Sequence, residues 1–195
     1  MLDTVILVLS FFSGIVDENE HVRLGGYPAP FREVLGLRVE DFVPFAAGER
    51  NRILTRDDTS YSCELWADLV HLDGAELLAS YAEGFYHGTP AVTRHAFGQG
   101  VAYYLGTRPE EPYMRQFLAT VCRETGVGAP LEAPPGIEVV RRKTGEDSFL
   151  FILNHGAQPA KVRLDGPARD LLAGSEHGGT LTLEPLGVAV LREGS

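Results

Sequence analysis

The residues whose types could do chemistry gather between positions 17 and 28. Asp17, Glu18 and Glu20 stand beside His21. Such a group could line a ligand crevice after a strand or hold an ion. The competing reading is a polar loop that caps a helix or packs on a neighbouring subunit. That reading is preferred, because adjacent residues point in different directions and rarely form a carboxylate dyad. Gly25-Gly26-Tyr27-Pro28 follows. It lacks the Gly-Lys-Ser/Thr ending of a phosphate loop and the spacing of a dinucleotide fingerprint. Its glycines suit a tight turn into a helix. Cys63 and Cys122 lack the strand-to-helix elbow with a nearby histidine that a cysteine nucleophile needs. They belong to no C-x-x-C pair, and two thiols make no disulfide framework. Cys122 falls on the apolar stripe of a predicted helix and is expected to be buried. His71, His87, His95, His155 and His177 are scattered without metal-ligand spacing. Trp66, Tyr103 and Tyr104 could stack on a sugar, but strand aromatics are expected in a core or an interface. No cofactor and no metal site is expected.

The elements that must position these residues follow from periodicity. Residues 5–12 form an apolar run, too short for the roughly 20 residues of a bilayer span and without the basic start of a signal peptide. It suits a parallel strand buried on both faces. Residues 28–36 predict a short helix, with proline in its first turn and Gly36 as its stop. Residues 37–42 alternate as a strand, and residues 48–60 predict a polar loop or frayed hairpin. Residues 64–72 and 76–82 predict strands around Asp73-Gly74. Residues 90–97 and 101–105 predict a hairpin about Gly98-Gln99-Gly100. Thr107 and Glu110 have the spacing of a capping box. Met114, Phe117, Leu118, Val121 and Cys122 then mark a helix over about residues 108–125.

After Pro134-Pro135-Gly136 the pattern changes to short strands at 137–142, 149–154, 161–164, 180–183 and 188–191. This predicts a small all-β antiparallel sandwich, with Phe149 and Phe151 in its core. The charge shifts at the same place. Residues 1–133 hold 10 basic and 19 acidic side chains, residues 134–195 hold 7 and 8. Two domains are therefore expected, 1–133 and 134–195. The net charge of −10 argues against nucleic acid and anionic membranes as partners.

Several stretches, taken in order, carry a resemblance. They are Ser10-Phe11-Phe12-Ser13-Gly14, Gly25-Gly26-Tyr27-Pro28, Trp66-Ala67-Asp68-Leu69-Val70-His71-Leu72-Asp73-Gly74, Gly100-Val101-Ala102-Tyr103-Tyr104-Leu105-Gly106-Thr107, and Phe151-Ile152-Leu153-Asn154-His155. The series resembles the C-terminal part of family-42 glycoside hydrolases, the microbial β-galactosidases, from about residue 8 to residue 192. The resemblance implies an α/β fold, a partial flavodoxin-like or class I glutamine-amidotransferase-like trimerisation domain, followed by the small β-sandwich. It implies that the barrel with the two catalytic glutamates, and the first half of the α/β domain, are not in this sequence. Met1 to Thr4 depart from the family pattern, as a truncation or misplaced start codon would produce.

The expected function is thus a non-catalytic assembly and support region. The parent enzyme would hydrolyse terminal β-D-galactosyl residues with retention, through carboxyls about 5–5.5 Å apart. No catalytic residue carries over to this chain. The expected partners are further copies, as a trimer, or the barrel. The candidate interface loop holds Asp17, Glu18, Asn19, His21, Arg23, Gly25, Gly26 and Tyr27. A cytoplasmic location is expected. The alternative is a stand-alone carbohydrate-binding or remnant module. If the α/β sheet is halved, the strand at residues 5–12 is expected to show an apolar edge, which favours association.

Overall fold

The computed structural model describes residues 5–194; the departure of Met1 to Thr4 from the family pattern lies outside the described residues. The chain divides between Gly126 and Val127 into two compact units.

In chain order the first unit runs β1 (Ile6–Ser10), α1 (Arg32–Leu35), β2 (Leu37–Pro44), β3 (Arg50–Thr55), β4 (Ser60–Glu64), β5 (Trp66–Leu72), β6 (Glu76–Tyr81), β7 (Pro90–Phe97), β8 (Gly100–Leu105), β9 (Arg108–Pro109) and α2 (Glu111–Glu124). Seven strands make a mixed sheet in the order β1-β8-β7-β6-β3-β4-β9, and β2 pairs with β5 apart from it. Strand β1 runs parallel to β8, with Ile6 beside Val101 and Ser10 beside Leu105. The other pairings of this sheet are antiparallel. The expected α/β character holds in its coarse form only: a mixed sheet with helices, in which strands predominate.

Period-two alternation along β8 sends its side chains into two cores. Tyr103 and Leu105 join Ile53, Tyr81, Val92, Tyr113 and Phe117, on the side of α2. Ala102 and Tyr104 join Tyr27, Leu35, Leu37, Val39 and Val70, on the side of α1. A 3-10 turn over Ala29–Phe31 leads into α1, which ends at Gly36 with φ of 59° and its N–H returned to the Arg32 carbonyl. A side chain at Gly36 would bring Cβ within 2.7 Å of the His95 ring, so both backbone conformation and close packing require glycine.

Three local expectations need correction, and two others hold with a difference. Strand β1 is parallel but not buried on both faces: it is an edge strand, with Val5 72% and Val8 39% exposed. Of the two alternatives for residues 48–60 the hairpin holds, and it is regular rather than frayed: β3 and β4 pair and bury Ile53. Strands β5 and β6 flank Asp73-Gly74 as expected, although they do not pair together. β5 pairs with β2, and β6 lies between β3 and β7. The capping box does not form. Arg108 and Pro109 pair with Glu64 and Cys63 as a strand, so α2 starts later, at Glu111, with Pro112 in its first turn. The Glu110 carboxylate instead accepts the Ser62 N–H at 2.7 Å. Finally, Cys122 is exposed and Cys63 is the buried thiol. The inward stripe of α2 is Tyr113, Phe117 and Val121, four apart. Leu118 and Cys122 each follow one residue later, rotated about 100° off that stripe.

The second unit runs β10 (Ile137–Thr144), β11 (Asp147–Asn154), β12 (Ala160–Asp170), β13 (Glu176–Leu183) and β14 (Val188–Glu193). They form one antiparallel sheet in the order β10-β11-β14-β12-β13. Every strand foreseen from alternation is present. Leu150 and Ile152 point into a core with Val162, Leu164, Leu181, Leu183, Ala189 and Leu191. Phe149 and Phe151 alternate with them and so take the opposite face, where Phe151 is exposed; the expectation that these rings form the core is incorrect.

Candidate functional site

The candidate loop folds as a finger with its own hydrogen bonds. Val16 and Val22 bridge across it. Asp17 Oδ1 accepts the backbone N–H of Asn19 at 2.8 Å and of His21 at 2.9 Å. These donors, that of His21 foremost, hold the Asp17 carboxyl below its ordinary range. Its turn geometry explains Asp17 without a ligand. Glu18, Asn19, Glu20, His21 and Arg23 are exposed. The Arg23 N–H returns to the Ile15 carbonyl at 2.8 Å. The Gly25 carbonyl accepts from Arg32 at 2.8 Å. At Gly26 a Cβ would lie 3.1 Å from the Val39 carbonyl. The loop residues are therefore together, but they form no carboxylate dyad.

Tyr27 ends the finger and turns inward. Its carbonyl accepts the Val39 N–H at 2.8 Å, and its hydroxyl donates to Asp68 Oδ1. Asp68 lies on β5 and is fully buried. Trp66 Nε1 donates to the same oxygen at 2.7 Å, and the Tyr104 hydroxyl donates to Oδ2 at 2.7 Å. The Asp68 N–H donates to the Gly106 carbonyl at 3.0 Å. The Tyr81 hydroxyl also donates to that carbonyl, at 2.8 Å. The carboxylate thus meets three neutral donors and no cation. Burial pushes its pKa up to about 6, while the Tyr27, Tyr104 and Trp66 hydrogen bonds pull the other way. Burial and the Asp68 charge raise the Tyr27 and Tyr104 hydroxyls, so both remain donors at neutral pH.

Above this node lies a stack of rings. Trp66 is sandwiched between Phe42, with centroids 4.8 Å apart, and Phe11, 5.6 Å away. Phe12 meets Trp66 edge-on at 5.2 Å, and Tyr27 meets Phe42 edge-on at 5.8 Å. Phe12 adopts a φ of 65° and Leu65 one of 76°. Bulky residues rarely take such values; Leu65 directly precedes Trp66 in the chain, and Phe12 is the ring that meets it edge-on. Phe12, Phe42, Val43 and Leu65 are exposed around the stack.

This arrangement can hold a loop and shape an apolar surface. It offers no acid–base pair opening onto a cleft. Asp68 is sealed, and the other buried acid among the described residues, Asp170, belongs to the second unit. There its Oδ1 caps a turn through the N–H groups of Leu172 and Ala173. A cleft of about 470 Å³ beside β1 is lined by Val5, Leu7, Val34, Phe97 and Val101, with Gln99 supplying its polar side chain. Among the described residues, no three His, Cys, Asp or Glu side chains gather as a metal site. Trp66, Tyr103 and Tyr104, the candidates for sugar stacking, are all buried. Sequence reasoning missed Asp68 as a centre. The signal available was an acid inside the otherwise apolar run Trp66-Ala67-Asp68-Leu69-Val70.

Two family models match the chain. One is described as the β-galactosidase trimerisation domain and covers residues 4–128; the other, the β-galactosidase C-terminal domain, covers residues 136–193. The chain is 43% identical over 183 residues to a β-galactosidase, LacZ, of Heyndrickxia coagulans, spanning 94% of this chain and 27% of that protein. It is 42% identical over 190 residues to a β-galactosidase, bgaB, of Geobacillus kaustophilus, spanning 96% and 28%. Its fold matches the crystal structure of a β-galactosidase from Bacillus circulans sp. alkalophilus with a TM-score of 0.92 at 38% identity, over 98% of this chain and 29% of that one. The chain spans little more than a quarter of the length of these relatives.

Proposed function

Since this chain belongs to the family-42 β-galactosidases, as a trimerisation domain followed by a C-terminal domain, we propose that it serves as the assembly and support region of such an enzyme. In this reading the hydrolysis of terminal β-D-galactosyl residues, with retention, is carried out by a part of the enzyme outside this chain. The chain brings subunits together as a homotrimer in the cytoplasm. The first domain is the partial flavodoxin-like layer, with further strands pairing along the free edge of β1. The second domain is the sandwich; its sequence-based boundary at residues 133–134 falls in the stretch between the two family models, a few residues past the division into compact units.

The observation that carries this reading is the apolar tip of the loop at residues 13–27. Leu24 is 94% exposed and Val22 is 67% exposed, on a finger whose root is pinned by Tyr27. Large apolar side chains held out together on an ordered loop suit a subunit contact. Replacing Leu24 by aspartate is expected to weaken self-association at least tenfold, about 1.4 kcal/mol. Sedimentation velocity would read the shift, and circular dichroism should not change. Equal association of the variant and the parent chain would remove the loop from the interface.

One observation favours the carbohydrate-binding alternative: the Phe149 and Phe151 rings share the face of β11 away from the core. Two rings make a small platform, and galactose titration of the chain by calorimetry separates the readings. The assembly reading expects no heat of binding that a Phe151→Ala substitution removes.

A further inference from the structure

Asp68 is a carboxylate buried without a cation, and it does not line the cleft beside β1. Each of its two oxygens is engaged. Oδ1 takes Tyr27 and Trp66, and Oδ2 takes Tyr104. All three partners are donors, so the set is matched to an acceptor-only carboxylate. A carboxyl that has gained a proton must place an O–H of its own, and one of its oxygens becomes a poor acceptor. Three inbound donors no longer fit: the indole N–H can only donate, so one tyrosine hydroxyl must turn to accept or give way.

The three donors are not equally held. Tyr104 is fixed in β8, between β1 and β7, with no exposed surface, and Trp66 is clamped between two rings. Tyr27 ends an exposed loop, and its ring rests edge-on against Phe42, itself partly open to solvent. Tyr27 is the partner with a way out.

We propose that Asp68 is a proton-operated latch: as a carboxylate it ties the root of the loop and the ring stack to β5, and on protonation it releases the Tyr27 hydroxyl and shifts the Trp66 environment. The proton comes from solvent and stays on the carboxyl; no other bond is made or broken. The surface consequence is a change in the order of the loop at residues 13–27 and of the exposed rings beside it.

The groups that face Asp68 leave it alone as the titrating member. They are Tyr27 from the loop, Tyr104 from β8, Tyr81 from β6, and Tyr86 from the turn after β6, on which Asp41 of β2 also acts. All four hydroxyls are raised from their ordinary range near 10. Cys63 of β4 acts on Tyr81, and burial raises that thiol too. Asp68 itself is raised to about 6, where a change in cellular pH would alter its charge. Two histidines belong to the same elements, His21 of the loop beside Asp17 and His71 of β5 beside Glu40, and the variants below separate them from Asp68.

Trp66 is the single tryptophan of the chain and touches the carboxylate, so its emission reads the latch directly. Emission of the full chain would be recorded between pH 8 and pH 4.5, at a concentration where its sedimentation is constant across that range. The expected result is one transition with a midpoint near 6. Asp68→Asn should remove it, since asparagine accepts from Tyr27 and Trp66 through Oδ1 at every pH. Tyr27→Phe, which keeps the ring, should move the midpoint upward by about one unit, because the carboxylate has lost a donor. A flat profile in the parent chain would overturn the proposal. So would a transition that persists in Asp68→Asn, or one unmoved in Tyr27→Phe. The readout does not depend on subunit assembly, so its result and that of the association experiment stand apart.

Discussion

Replacing Asp68 by alanine is expected to lower the stability of the first unit by about 3–4 kcal/mol at pH 5, and by about 1 kcal/mol less at pH 7. The loss arises because Trp66 and Tyr104 would each keep a buried donor without an acceptor, and at pH 7, where the carboxylate still holds it, Tyr27 as well. Such groups cost about 1–3 kcal/mol apiece, partly relieved by rearrangement. The pH dependence follows from the raised Asp68 pKa of about 6, against an ordinary value of 3.8. Between those values the folded chain binds the proton more tightly than the unfolded chain. The favourable contribution of the neutral carboxyl is complete below pH 3.8 and declines as pH rises through 6. At pH 7 the parent chain buries a charge that alanine does not, so the variant loses less. Urea unfolding followed by Trp66 fluorescence at the two pH values measures both numbers. A loss under 1 kcal/mol at pH 5, or a larger loss at pH 7 than at pH 5, would refute this account of the node.

The second unit depends on a cluster of buried apolar side chains, and there Ile152→Ala is expected to cost about 3–4 kcal/mol. Ile152 has no exposed surface and packs in one cluster with Val162 and Leu191, which also have none. Truncating a fully buried isoleucine removes its transfer free energy and leaves a cavity, and the observed range for such changes is about 2–5 kcal/mol. The strand order places β11 between β10 and β14, which restricts collapse into the hole and puts the value in the upper part of that range. Ile152→Val should cost only about 1 kcal/mol. Denaturant titration followed by circular dichroism distinguishes the two. Equal losses for alanine and valine would mean that the site is not packed as described.

Much of the fold was legible because its signals are local. Gly36 marked the end of α1, Gly98-Gln99-Gly100 marked the β7–β8 hairpin, and alternation marked all five strands of the second unit. The ordered motifs, by their types and sequence alone, also pointed to the family. What was not legible depends on distant partners. Thr107 and Glu110 look like a helix cap in isolation, but pairing with β4 across the sheet overrides that preference. Cys122 looks buried until the angular position of Tyr113 fixes which stripe of α2 faces inward. Asp68 gathers Tyr27 from 41 residues away and Tyr104 from 36 residues away. No local pattern joins these three, so the node that anchors the candidate loop could not be read from spacing. The loop itself was found from its polar and glycine-rich composition, although its exposed Val22 and Leu24 matter more to the proposed contact than its acids.

The most direct test of the assembly role is the mass of the chain in solution, by sedimentation equilibrium from low to high micromolar concentration. The account predicts a mass that rises above the 21.3 kDa protomer and approaches three times that value. A single species at 21.3 kDa across the whole range would contradict it.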